Sequence, residues 1–165
     1  MITNAFVVNG ETPPLRGRLR YNVKDSWFIT DGVRSRADAV VSIGYLALMI
    51  DRETGYVDYV DGYCPSPGWR EVGLPRSPSV GVREGRLRFV HVDRLIRGAG
   101  YPVSEAREWW PEWVDYARGV LWIGEEPTAA GELVRFAPGA SCVMSGAEML
   151  AIVLRPVELP TKRPR

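Results

Sequence analysis

Short apolar runs that stop at turn residues are the dominant pattern of the chain. Phe6–Val8 ends at Asn9-Gly10, and the run 27–30 ends at Asp31-Gly32. Such dipeptides are strong signals for tight turns between strands. Over residues 19–23, apolar side chains alternate with polar or basic ones, as expected of a strand with one buried face. The amino-terminal part therefore predicts several short strands.

Three hairpins are predicted further along the chain. The clearest joins an apolar run at 45–50 to a second run at 56–61, through a loop in which Gly55 suits a left-handed position. Another is predicted to turn at 83–86, and the third covers 133–154. Strands this short and this closely spaced are typical of an antiparallel sheet, a sandwich or a partly open barrel.

The longest irregular stretch runs from Cys64 to Pro78. It is rich in proline, which fixes φ and removes a backbone donor, so this stretch cannot be a central strand. We expect an ordered loop or a strap along a sheet edge, anchored to the domain by Tyr63 and Trp69.

One segment follows a helical period. Its apolar positions fall at i, i+3, i+4 and i+7, the spacing of one helical face: Trp110, Trp113, Val114 and Ala117. Pro111 suits the first helical position, and Gly119 suits the position after the last one. The apolar run 120–123 that follows is predicted to be a strand.

These elements predict an α+β fold that is mainly antiparallel β. One principal short helix is expected to pack on a hairpin-rich sheet, a sandwich or a partly open barrel. The length of 165 residues favours a single domain, which we place at residues 1–159. The basic tail at 160–165 is expected to be disordered.

The composition is that of an ordinary globular protein, with 45% hydrophobic and 25% charged residues and a formal net charge of +1. A charge near zero gives no overall field toward nucleic acid or a membrane, so we expect neither partner. No apolar run approaches the ~20 residues of a bilayer span, and the start has no secretory signal. These features favour a cytoplasmic location with two free thiols. All but two of the 21 basic residues are arginine, which suggests a GC-rich bacterial source.

Candidate catalytic residues are few. The single histidine, His91, cannot supply a zinc cluster, and we expect no metal and no cofactor. There is no phosphate-binding glycine loop and no nucleophile elbow. The best enzymatic arrangement joins Cys64 to His91 and Asp93, as a thiolate with its base and an orienting acid. The simpler interpretation is a small buried cysteine and a half-buried strand histidine. A ligand cleft could be lined by Tyr45, Tyr59, Cys64, Trp69, His91 and Asp93.

Two further sets of charged residues have both a functional and a structural interpretation. Four acids on or beside one hairpin could form a catalytic or metal-binding pair: Asp51, Glu53, Asp58 and Asp61. Arginines alternate at 16, 18 and 20 and again at 86 and 88, and such rows could bind phosphates or an acidic partner. The simpler interpretation of both sets is structural: the charged side chains stabilise turns or lie on strand faces that are exposed to solvent.

The segment from Ser104 to Trp122 combines four tryptophans with several acids. Trp110 and Trp113 belong to the predicted core face, which leaves a candidate partner surface formed by Glu105, Glu108, Trp109, Glu112 and Asp115. Aromatic residues are enriched at interface hot spots, and acids complement a basic partner. The simpler interpretation is a core tryptophan cluster with a wet acidic side.

Two functional hypotheses follow from these features. The first is a non-catalytic, protein-binding protein of a bacterium, most concretely an immunity or antitoxin-type protein whose acidic aromatic surface blocks a basic toxin. The second is a small-ligand-binding β domain, or a small enzyme, with a cleft that contains His91 and Cys64. We favour the first because no reactive cluster is evident in the sequence.

Overall fold

The protein consists of two β-sheets and a two-stranded ribbon. A computed structural model describes residues 2–74, 82–103, 110–127 and 130–160. Strands in these ranges are, in chain order, β1 (Ile2–Thr3), β2 (Phe6–Asn9), β3 (Arg18–Asn22), β4 (Trp27–Asp31), β5 (Ala39–Ile43), β6 (Leu46–Ile50), β7 (Val57–Tyr63), β8 (Arg70–Glu71), β9 (Arg83–Glu84), β10 (Arg86–Phe89), β11 (Gly100–Pro102), β12 (Glu112–Asp115), β13 (Val120–Gly124), β14 (Glu132–Ala137), β15 (Ala140–Ser145) and β16 (Glu148–Leu154). The helical elements of the described ranges are two 3-10 turns, Ser66–Gly68 and Val92–Arg94. The fold is therefore all-β.

The larger sheet has eight strands, in the order β8-β12-β13-β16-β15-β14-β9, with β1 also paired to β16. Its centre is the antiparallel meander β14–β15–β16, which confirms the hairpins predicted over 133–154. The short edge strands β8 and β9 pair in parallel with β12 and β14.

The smaller sheet has six strands, in the order β11-β5-β6-β7-β4-β3. Its centre is the β6–β7 hairpin, which confirms the hairpin predicted over 45–61, and Gly55 has a φ of +78° in its loop. Ile50 pairs with Val57 but Met49 pairs with Tyr59, so Asp58 is the extra residue of a β-bulge. The bulge gives Asp58 surroundings different from those of the regular part of β7.

The main core lies between the two sheets and the ribbon formed by β2 and β10. It contains inward side chains of all three parts, including Phe28 of the smaller sheet and Phe136 of the larger. In the ribbon, Phe6 pairs with Phe89, and their ring centroids are 5.4 Å apart. Each buried large apolar side chain contributes about 1.5–3 kcal/mol, so this shared core holds the sheets and the ribbon together.

The larger sheet is apolar on its second face as well. In β13, Leu121 and Ile123 point into the main core, whereas Val120 and Trp122 belong to a separate buried cluster. A strand buried on both faces has a continuous apolar run without alternation. This confirms the strand predicted at 120–123.

The principal helix predicted around residues 110–119 is wrong. Residues 112–115 form β12, which pairs with β13 so that Trp113 lies opposite Trp122, and the intervening residues form a turn. Val114 points into the main core and Trp113 packs against the second cluster, so both faces of the strand are apolar. For this reason, the sequence does not show the alternation of apolar and polar residues that is typical of a strand. The helical spacing of its apolar residues was a coincidence. Gly119, with a φ of +64°, belongs to the hairpin turn.

The hairpin predicted at 83–86 is also wrong. β9 pairs with β14 of the larger sheet, and β10 pairs with β2 of the ribbon. A Cβ atom on Gly85 would lie 2.8 Å from the carbonyl oxygen of Asn9 in β2, so the glycine lets the chain pass close to the ribbon as it leaves β9. A local turn signal cannot reveal that each flanking strand has a distant partner. Apart from Pro160, the predicted tail lies outside the described residues.

Candidate functional site

The outer face of the smaller sheet has a row of exposed aromatic side chains. Trp27 of β4 pairs with Tyr63 of β7, and the ring centroids are 6.3 Å apart. Tyr45, at the turn between β5 and β6, lies on the other side of Tyr63 at 6.0 Å. Trp27 and Tyr63 are each 40% exposed and Tyr45 is 73% exposed. We call these three residues the aromatic row.

Asp61 lies beside the aromatic row. It precedes Tyr63 by two positions on β7, so both side chains are on the same face of the sheet. Its Oδ1 atom is buried and has no hydrogen-bond partner among the residues that the structure describes. Burial raises the pKa of Asp61 to about 6, against the opposing effect of the Trp27 indole and with a further rise from the Asp31 charge. A partly dehydrated carboxyl group therefore lies next to the row, and none of the described cations contributes to its pKa shift.

A small pocket opens at the end of the aromatic row, where the two sheets meet. Tyr45 and Tyr63 line it from the smaller sheet, and Trp110 and Glu112 line it from the larger sheet. Its volume is about 30 Å³, which matches the volume of about one water molecule. We call it the sheet-junction pocket. It is continuous with the aromatic row because the two tyrosines belong to both.

Cys64 and Glu112 form a hydrogen-bonded pair in the sheet-junction pocket. The Cys64 thiol donates to Oε1 of Glu112 at 3.3 Å. Burial, with the Glu112 charge as a second cause, raises the pKa of the Cys64 thiol. Burial also raises the pKa of Glu112, and the bond from Cys64 opposes that rise. The thiol is therefore kept protonated, which does not suit a nucleophile.

The described part of the proline-rich stretch, residues 64–74, is attached to the sheets next to this pocket, and we call it the strap. The Tyr21 hydroxyl donates to the carbonyl oxygen of Cys64 at 2.7 Å, and its ring lies 5.2 Å from that of Trp69. Among the described residues, the buried indole N–H of Trp69 has no oxygen or nitrogen acceptor, but its interaction with the Cys64 sulfur lowers the pKa of the thiol. Because sulfur is a weak acceptor, Trp69 serves mainly as an apolar anchor.

His91 and Asp93 lie elsewhere. The His91 ring packs edge-on against Phe89, with centroids 5.7 Å apart. His91 lines a cavity of about 100 Å³ together with Arg94 and Tyr101, and this cavity shares no lining residue with the sheet-junction pocket. Asp93 belongs to the 3-10 turn Val92–Arg94. The structure thus brings Cys64 and Trp69 together but places His91 in a different cavity.

The candidate partner surface is only partly described. Glu105, Glu108 and Trp109 lie outside the described residues. Glu112 is half-buried in the sheet-junction pocket. Asp115 is buried, and its carboxylate accepts hydrogen bonds from the backbone N–H groups of Leu74 at 3.2 Å and Arg118 at 3.1 Å. Asp115 therefore stabilises the β12–β13 turn and fixes the strap.

The four acids of the hairpin have three different environments. Asp51 accepts the backbone N–H of Glu53 at 2.9 Å within the hairpin loop, which is turn chemistry. Asp58 pairs with Arg86 below the sheet surface, whereas Asp61 lies beside the aromatic row. The arginines of the two alternating rows also differ in environment. Arg86 is largely buried, whereas Arg20 forms an exposed ion pair with Asp31.

Sequence reasoning did not identify the aromatic row. Trp27 and Tyr63 alternate with Phe28 and Gly62, which are buried, so both rings occupy positions where a half-buried strand carries polar residues. Aromatic residues at the solvent-facing alternate positions of adjacent strands are the signal that could have revealed the row. Using that signal requires the strand pairing, which the sequence does not provide.

Comparison with known proteins does not assign the chain to a family. The chain matches no family model, no curated protein and no solved structure. Within the described ranges, no group of three or more histidine, cysteine, aspartate or glutamate side chains could hold a metal ion. No helix in those ranges is long and apolar enough to cross a membrane. A functional proposal therefore depends on the geometry of the site itself.

Proposed function

We propose that this chain is a non-catalytic, protein-binding domain that contacts its partner through the aromatic row. The observation that supports this proposal is the alignment of Trp27, Tyr63 and Tyr45 on the outer face of the smaller sheet. Tryptophan and tyrosine are the residues most enriched at binding hot spots, where they bury large rigid surfaces at low entropic cost. Two such rings on neighbouring strands, with a third at the adjoining turn, offer a preorganised contact surface.

The electrostatics of the face favour a basic partner. The pKa values of Asp61 and Glu112 are both raised chiefly by burial, and no basic side chain in the described ranges contributes to either shift. A cation from a partner would compensate these dehydrated carboxylates. This supports the more specific proposal of a cytoplasmic bacterial immunity or antitoxin-type protein that blocks a basic toxin. The acidic aromatic surface then lies on the smaller sheet and at Glu112.

The test uses the proteins encoded on either side of the gene in its native genome. Each is purified and titrated against the wild-type chain by calorimetry. Removing the ring at Trp27→Ala or Tyr63→Ala is expected to cost about 2 kcal/mol of binding free energy, as at other hot spots. Val23→Ala is the matched control, because Val23 is 60% exposed but lies outside the row.

For the immunity proposal, co-expression should also restore growth to cells that express the toxic neighbour. Tyr63→Ala is expected to reduce that rescue, and Val23→Ala is expected to preserve it. A neighbouring protein that binds wild type, Trp27→Ala and Tyr63→Ala equally well would contradict the use of the aromatic row.

The alternative proposal is a small-ligand-binding domain centred on His91. It is supported by the cavity of about 100 Å³ that His91 lines with Arg94, whose guanidinium is bonded to the Tyr101 hydroxyl at 3.1 Å. These groups suit a small anion. Thermal melting with inorganic phosphate or acetate tests the ligand-binding proposal. A ligand-induced rise in melting temperature that disappears in His91→Gln would favour it over the protein-binding proposal.

A further inference from the structure

The sheet-junction pocket contains a carboxylate, that of Glu112, for which the described residues provide no counter-ion. Among the described residues, the one hydrogen bond to the Glu112 side chain comes from the Cys64 thiol at 3.3 Å. A thiol is a weak donor and carries no charge. A half-buried carboxylate without a charged or strong partner is costly, so the pocket favours a ligand that brings positive charge.

The walls of the pocket also suit a cation. Three of the residues that line it are aromatic: Tyr45, Tyr63 and Trp110. The rings of Tyr45 and Tyr63 are nearly perpendicular, with an interplanar angle of 83°. Aromatic faces attract ammonium and guanidinium groups, and the attraction increases where water is excluded.

The size of the pocket selects among cations. A volume of about 30 Å³ accommodates a group about as large as a water molecule. An ammonium group is a compact point charge of that size, whereas a guanidinium is a wider planar fork with three nitrogens. The pocket therefore fits the end of a lysine side chain better than the end of an arginine side chain.

The position of the pocket identifies where the lysine comes from. Tyr45 and Tyr63 belong both to the pocket and to the aromatic row. A protein bound on the row would cover the opening of the pocket, so one of its side chains could enter. We propose that the sheet-junction pocket receives a lysine ammonium of the partner protein, with Glu112 as counter-ion. This inference rests on the proposed protein-binding function.

The test uses three capped pentapeptides as probes, with two glycines on each side of a central lysine, arginine or norleucine. Each is titrated into the full-length ¹⁵N-labelled chain, and backbone amide shifts are followed by NMR. The lysine peptide is expected to shift the amides of Tyr45, Tyr63, Cys64 and Glu112. The arginine peptide should bind several-fold more weakly, and the norleucine peptide should cause no localised shift.

Two variants and a control link the effect to the pocket. Glu112→Gln retains an acceptor for Cys64 but removes the charge, and is expected to weaken lysine-peptide binding about tenfold. Tyr45→Ala removes a largely exposed ring and should weaken binding without affecting the fold. Glu53→Gln removes one charge from an exposed loop residue and should leave binding unchanged. Thermal melting of each variant confirms that it is folded.

Each contrary outcome has a defined meaning. Equal binding of the norleucine peptide, equal binding of the arginine peptide, or no effect of Glu112→Gln would overturn the lysine pocket. If Tyr63→Ala still weakened partner binding after one of these outcomes, the proposed function would stand while the pocket assignment failed. If the lysine peptide bound as expected but the partner ignored the aromatic row, the protein-binding proposal would fail and a primary-amine site would remain.

Discussion

Arg86 and Asp58 form an ion pair that joins the ribbon to the smaller sheet and is shielded from solvent. Their side chains are 13% and 5% exposed. Asp58 also accepts the Ser35 hydroxyl at 2.6 Å and the backbone N–H of Arg36 at 3.1 Å. The Arg86 guanidinium lies over the ring of Tyr56, 4.7 Å from its centroid. The bulge in β7 makes this contact possible, since Asp58 is the residue it inserts.

Removing one member of this pair should be strongly destabilising. Asp58→Ala leaves the Arg86 charge buried without its partner, and we expect a loss of about 3–5 kcal/mol in the free energy of unfolding, measured by urea denaturation. Asp31→Ala is the control, because its ion pair with Arg20 is exposed and should contribute little to the free energy of unfolding. Equal losses in the two variants would show that Asp58 and Arg86 are solvated.

The raised pKa of Asp61 predicts that this residue lowers the stability of the folded protein at neutral pH. Folding raises this pKa from 3.8 to about 6, so the protonated carboxyl is the form that the folded state favours. The resulting stability is fully present below about pH 3.8 and is lost as the pH rises through about 6. Asp61→Asn should therefore increase the free energy of unfolding at pH 7 and change it little at pH 4.

The size of the Asp61 effect is limited by solvent. A shift of about two units corresponds to roughly 3 kcal/mol, and partial exposure reduces this to about 1–2 kcal/mol. Urea denaturation of wild type and Asp61→Asn at both pH values measures it, with the exposed Glu11→Gln as control. A variant that is no more stable than wild type at pH 7 would mean that Asp61 is hydrated.

The buried Cys64 thiol should be unreactive in the folded protein. Each unit by which the pKa rises reduces the thiolate fraction about tenfold, so alkylation by iodoacetamide at pH 8 should be at least tenfold slower than for free cysteine. Peptide mapping distinguishes Cys64 from Cys142, which is also buried. Glu112→Gln should accelerate the reaction at Cys64, because the Glu112 charge raises the thiol pKa. Native alkylation as fast as in urea would refute the burial of Cys64.

Two glycines allow the stability cost of an unfavourable backbone conformation to be measured separately from the cost of a steric clash. Both have positive φ, but a Cβ atom on Gly124 would lie 2.4 Å from the Leu150 carbonyl oxygen, whereas one on Gly146 meets nothing within 4 Å. Gly146→Ala should cost about 1 kcal/mol, and Gly124→Ala about 3 kcal/mol or more because a strand must move. Thermal denaturation of the two variants gives the comparison. Similar costs would show that β13 and β16 separate easily at Gly124.

Local features of the sequence were sufficient to predict hairpins in which strands next to each other in the chain also pair in the sheet. The β6–β7 hairpin and the β14–β15–β16 meander follow from alternating apolar runs and from turn glycines such as Gly55. The two errors have different causes. β9 and β10 have distant partners, and β12 has an apolar residue on each face because the larger sheet is buried on both sides.

The sequence by itself determined that the protein is rich in short strands, that it lacks a histidine cluster, and that its thiols are few. These are consequences of composition and of local backbone preference, which act within a few residues. Only the tertiary structure decided that Trp27, Tyr45 and Tyr63 form one row, and that Glu112 meets Cys64 across 48 positions of the chain. Strand pairing and the packing of two sheets create those contacts, and both depend on side chains far apart in the sequence.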